Sequence, residues 1–134
     1  MPEQLQVLKA LQELDRERRE LIQQRQQLDE EQNKLQVEVD RVQIMVDSLA
    51  ETIATCQEAR QELLGKLEHE RALATRAESR LPQIKTQREY LAVLKEVDAA
   101  KKQIKDLGDQ IAAKDRDLEA LNADKAEKDA ELAT

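Results

Sequence analysis

A chain of 134 residues with 38% charged and 1% aromatic residues lacks the large rings that usually help to fill a globular core. Aliphatic residues are nevertheless frequent, which argues against a disordered polyelectrolyte, and the composition is typical of a long amphipathic helix or coiled coil. The net charge of −7 comes with no basic tract and no long apolar window, which argues against nucleic-acid binding and a membrane span.

The first predicted element is a helix over about residues 3–81. Apolar residues recur every seven positions from Val7 to Ile84, interrupted only by Glu70, and a second column follows four residues later from Leu11 to Leu81. These two columns, the seam, stay in phase for about eleven heptads, which predicts a left-handed coiled coil. Seven seam residues are assigned a structural role in this helix: Leu35, Val42, Leu49, Ile53, Leu63, Leu67 and Leu81.

The seam is weakest where one of its columns reads Arg18, Arg25 and Gln32. Long polar side chains can lie along an apolar surface with their heads in water, so the helix need not end there. We expect this stretch to be looser than the aliphatic stretch from Leu35 to Ile53.

A turn is predicted over about residues 82–86. The residue before a proline is disfavoured in the α region, so the first helix should finish near Arg80, just ahead of Pro82. Thr86 and Glu89 have the spacing of a capping box, in which each side chain accepts a hydrogen bond from the backbone N–H of the other residue. We therefore assign Pro82, Thr86 and Glu89 to the turn and cap.

A second helix is predicted over about residues 87–132. Its apolar columns begin at Tyr90 and Val93 and are out of phase with the first seam. A phase break beside a proline favours a turn over a bend. The structural seam residues assigned to this helix are Val93, Val97, Ile104, Leu107, Ile111, Leu118 and Leu121.

The two seams can be paired layer by layer as an antiparallel hairpin, with Leu81 opposite Val93 and Leu67 opposite Leu107. One layer is unfavourable, because it places Arg60 opposite Lys114. An interior proline costs a helix about 3 kcal/mol, which also favours a turn. We predict an all-α fold: one coiled-coil hairpin over residues 1–134 whose first arm is about twice the length of its second. The alternative is a rod in which Pro82 is only a kink.

The second arm of this hairpin is expected to cover the first arm only back to about residue 40. An uncovered apolar stripe would remain, and stripes of this length are protein-interaction surfaces. We expect a homo-oligomer formed through residues 5–40, or a fragment of a longer protein whose returning arm continues. The uncovered residues are Val7, Leu11, Leu14, Leu21, Leu28 and Leu35, of which Leu14, Leu21 and Leu28 are the candidate partner-binding residues.

Two segments resemble the bacterial coiled-coil/C4-type zinc-ribbon family. They are LKALQELDRERREL (residues 8–21) and TQREYLAVLKEVDAAKKQIKDLGDQI (residues 86–111), and they match the family's opening helix and the block after its hairpin tip. The C-terminal zinc ribbon with its Cys-x-x-Cys pairs is absent, so the resemblance extends to the hairpin alone. It implies a cytoplasmic adaptor linked to flagellar or type III secretion assembly or its regulation.

Side chains with catalytic or metal-binding chemistry are few. His69 has no ligand-type residue one helical turn away, so a solvated histidine is the simpler interpretation. Cys56 falls on the seam among apolar neighbours and has no base to activate it. We expect no enzyme activity, no cofactor and no metal site.

Tyr90 has two interpretations. A seam-position aromatic is usually part of a core, so we expect its ring to fill the hairpin tip. The alternative makes Arg88, Tyr90 and Glu96 an exposed partner-binding patch.

The sequence therefore predicts a cytoplasmic, non-enzymatic coiled-coil adaptor or scaffold that binds proteins. The alternative function is that of a purely structural, self-associating rod or spacer.

Overall fold

The computed structural model describes residues 2–134, and these residues form two α-helices and no strand. Helix α1 spans Pro2–Arg80, a 3₁₀ turn spans Leu81–Gln83, and helix α2 spans Gln87–Ala133. The predicted all-α hairpin is confirmed, with a first arm of 79 residues and a second of 47. The chain divides into two units, the first ending at Ile44 and the second spanning Met45–Thr134.

The second unit is an antiparallel pair of helices. One apolar cluster joins Leu67 to Leu107 and Ile111, and another, nearer the turn, joins Ala77 to Val93 and Val97. The earlier α1 residue, Leu67, thus packs against later α2 residues than Ala77 does, so the two helices are antiparallel.

Burial within the second unit follows the seam. On α1, the seam positions from Val46 to Ala77 are all buried or half-buried and recur at alternating steps of three and four residues, as expected when one stripe of a helix faces a single neighbouring helix. No described side chain is completely buried, because two helices enclose their shared seam from two sides only. The least exposed seam positions of this unit are Val46, Ile53, Cys56, Leu67, Ala74, Ala77, Val93, Val97, Ala100, Leu107 and Ile111.

The turn reverses the chain without any residue at positive φ. The backbone N–H of Ile84 donates to the carbonyl of Leu81 at 3.3 Å, which closes the 3₁₀ turn that contains Pro82. Ile84 and Thr86 are extended, and the Thr86 hydroxyl accepts the N–H of Glu89 at 3.3 Å to cap α2. The return bond of the predicted capping box, from the Thr86 N–H to the Glu89 carboxylate, is not formed among the described residues.

The sequence predicts a layer with two like charges, Arg60 and Lys114, and in the structure an ion pair with a neighbouring residue relieves their repulsion. Arg60 and Lys114 are both half-buried, but the Arg60 Nε donates to the carboxylate of Asp115 at 2.5 Å. The thiol of Cys56, in the neighbouring layer, donates to the backbone carbonyl of Lys114 at 3.8 Å. Arg60 is therefore neutralised by the residue next to the lysine, which the seam pattern alone does not identify.

The described part of the first unit is a single stretch of α1. Its residues from Pro2 to Arg41 are all exposed, and Val42 is buried. A helix without side-chain packing relies on propensity alone for its stability, which in water is marginal.

Candidate interaction surfaces

The first candidate surface is an apolar stripe on the first unit, which we call the N-terminal stripe. Each of its residues keeps between 58% and 66% of its surface exposed, whereas the same heptad positions in the second unit are buried or half-buried. Leu35, also assigned to the structural seam, is 66% exposed and belongs to this surface. Contiguous exposed apolar surface of this length is characteristic of protein–protein contact sites. The stripe comprises Val7, Leu11, Leu14, Leu21, Leu28 and Leu35.

The stripe is wider than the seam pattern predicts. Leu8 and Ile22 directly follow stripe residues in sequence and are 56% and 46% exposed. They occupy the heptad position that flanks the core in a coiled coil, where charged residues are usual. An apolar residue at a flanking position was the sequence signal that could have identified them.

Two arginines interrupt the stripe's second column. Arg18 and Arg25 are exposed, and neither takes part in any ion pair among residues 2–134. The ion pairs found on this unit lie elsewhere, between Arg16 and Glu13 at 3.7 Å and between Arg41 and Glu38 at 3.0 Å. The stripe thus combines apolar residues with positive charges that no neighbouring carboxylate neutralises.

The second candidate surface is the hairpin tip. Tyr90 is 44% exposed, so the expectation that its ring fills the tip is wrong. The reason lies in the turn: Leu81 and Ile84 pack against the cluster of Ala77, Val93 and Val97 and occupy the space expected for the ring.

The three residues of the predicted tip patch have different environments. Arg88 and Tyr90 are exposed in the first turns of α2, beside the 52%-exposed Leu91. Glu96 instead accepts a hydrogen bond from Arg80 in an ion pair that links the two arms. Arg88 and Tyr90 are therefore available to a partner, while the charge of Glu96 is already engaged.

Cys56 and His69 occupy different environments. Cys56 is a free, buried thiol beside an open groove between the arms, which is also lined by Ser48, Thr52 and Asp117. His69 is exposed on α1. Within residues 2–134, no three His, Cys, Asp or Glu side chains are grouped so that they could hold a metal ion.

Neither described helix combines the length and the apolar character needed to cross a membrane. Comparison of the chain with protein-family models, with curated proteins and with solved structures gives no match.

Proposed function

We propose that this protein is a non-enzymatic coiled-coil adaptor that binds protein partners through the N-terminal stripe. The observation that carries the proposal is the exposure of six apolar seam residues on a helix whose later seam residues are covered by α2. Burying a leucine side chain stabilises a complex by about 1.5–3 kcal/mol, so a helix of matching pattern would gain from covering them. The hairpin of the second unit acts as a scaffold arm, with Arg88 and Tyr90 at its tip as a secondary contact surface.

The cellular setting that we propose is the bacterial cytoplasm, in flagellar or type III secretion assembly or its regulation. This part of the proposal is supported by the resemblance of residues 86–111 to the segment that follows the hairpin tip in coiled-coil/zinc-ribbon proteins. The exposed Arg88 and Tyr90 both belong to that segment.

The proposal is tested by placing a photo-cross-linking amino acid, such as benzoylphenylalanine, at Leu21 or at Gln23 in cells that produce the protein. Leu21 belongs to the N-terminal stripe, and Gln23 lies two residues later on another face of the same helical turn. We expect protein adducts from position 21 and few from position 23, with mass spectrometry identifying the attached protein.

Equal adduct formation at the two positions would refute the stripe as a binding surface. Adducts with other proteins support the adaptor function. Adducts composed only of further copies of this chain would show self-association through the stripe. Together with no binding of other proteins at Arg88 and Tyr90, they would support the alternative function, a self-associating rod or spacer.

A further inference from the structure

We propose that a second copy of this chain covers the N-terminal stripe, and that the two copies run antiparallel with Leu11 of one opposite Leu28 of the other. This inference rests on the proposed function and adds to it the identity, direction and register of one partner.

The direction follows from the polar residues in the seam. One seam column is apolar throughout the stripe, and the other contains Arg18, Arg25 and Gln32. A parallel pair places each residue opposite its own copy, which creates three polar layers among the leucine layers, two of them with facing arginines. An antiparallel pair sets the members of one column against the other, so that each polar residue faces an aliphatic one.

The register follows from the acidic residues that flank the seam. Asp15, Glu17, Asp29 and Glu31 are exposed and occupy flanking positions, where residues of two paired helices face each other. If Leu11 faced the partner's residue 35, Asp15 would face Asp29 and Glu17 would face Glu31. By symmetry this makes four like-charge pairs, each of them destabilising.

Shifting the partner by one heptad removes these repulsions. With Leu11 opposite residue 28 of the partner, Asp15 faces Ile22 and Glu17 faces Gln24. Arg25 then lies opposite the partner's Leu14, and Asp15 and Glu17 follow that leucine by one and three residues. The arginine that has no ion-pair partner among the described residues thereby gains two carboxylates. The chain thus complements itself in both apolar pattern and charge.

The test is disulfide cross-linking of purified full chains in which Cys56 is replaced by alanine. Three samples are prepared: Leu11→Cys chains mixed with Leu28→Cys chains, Leu11→Cys chains mixed with Leu35→Cys chains, and Leu11→Cys chains alone. Each sample is oxidised at a concentration where sedimentation shows association. A one-heptad shift moves a residue by about 10 Å along the helix, which exceeds the reach of a disulfide of about 4.4–6.8 Å between Cα atoms. The three samples therefore report three different arrangements.

We expect a covalent dimer in the Leu11→Cys plus Leu28→Cys mixture, at about tenfold or more the yield of either alternative, because the geometry is selective. A dimer from Leu11→Cys alone would show a parallel pair, and one from the Leu35→Cys mixture would show the other register; either overturns the inference. A chain that sediments as a monomer at every concentration also overturns it. Photo-cross-links from Leu21 to a different protein would in that case leave the proposed function standing.

Discussion

Truncating one buried leucine and one exposed leucine at the same heptad position of α1 tests whether the two units differ as described. Leu67 is 8% exposed and packs against Leu107 and Ile111, whereas Leu11 is 58% exposed. Leucine-to-alanine changes in cores cost about 2–5 kcal/mol, with the larger values where the cavity cannot collapse. The two-helix seam is open on its flanks and can partly close, so we expect Leu67→Ala to cost about 2–3 kcal/mol.

Leu11→Ala should behave differently, because the methyl groups that it removes are mostly in water. We expect its effect on the unfolding of the isolated chain to stay within about 0.5 kcal/mol, since the better helix propensity of alanine offsets the small loss of burial. The two variants remove the same atoms from the same helix, so their difference isolates the packing of the second unit.

The assay is amide hydrogen exchange of α2, which lies wholly in the second unit, supported by urea unfolding followed by circular dichroism. Protein concentration is kept as low as the signal permits, so that association through the N-terminal stripe contributes little. Comparable destabilisation by the two variants would refute the assignment of Leu11 to an uncovered surface. A larger effect of Leu11→Ala would refute the packing around Leu67 as well.

Three further predictions concern the hairpin. In a double-mutant cycle with Arg60→Ala and Asp115→Ala, we expect a coupling of about 0.5–1 kcal/mol that weakens in high salt, because both side chains are partly exposed; zero coupling would show that the pair contributes nothing. Gly108→Ala should raise the free energy of unfolding by about 0.5–1 kcal/mol, because Gly108 lies inside α2 and an added methyl group meets no atom within 4 Å; destabilisation would contradict that open space. Thr86→Ala should lower it by about 1 kcal/mol, and Thr86→Ser by much less, because serine keeps the hydroxyl that caps α2; equal losses in thermal melts would mean that the cap is unimportant.

The apolar periodicity carries most of the information about the fold. A stripe repeating at 3.5 residues requires a neighbouring helix, and the shift in phase beside Pro82 marks where the chain turns to provide one. The positions on α1 that become buried in the second unit can therefore be listed from sequence, from Val46 to Ala77.

The surroundings of individual side chains were less predictable. The seam pattern places Arg60 opposite Lys114, and it places Tyr90 on the apolar stripe. It does not give the direction in which either side chain points. Arg60 turns aside to Asp115, and Tyr90 stays exposed because Leu81 and Ile84 already fill the tip. Both outcomes depend on residues of the opposite arm or the turn, which heptad counting does not place in three dimensions.

The sequence by itself determined that this chain is helical and which stripe of each helix is apolar, and it favoured a turn near Pro82. Those properties follow from local backbone chemistry and from the period of the α-helix, which need no knowledge of neighbours. Only the tertiary structure decided which charges are neutralised and what closes the tip. These depend on distances between residues far apart in sequence, such as Arg80 and Glu96, which only the folded hairpin brings together.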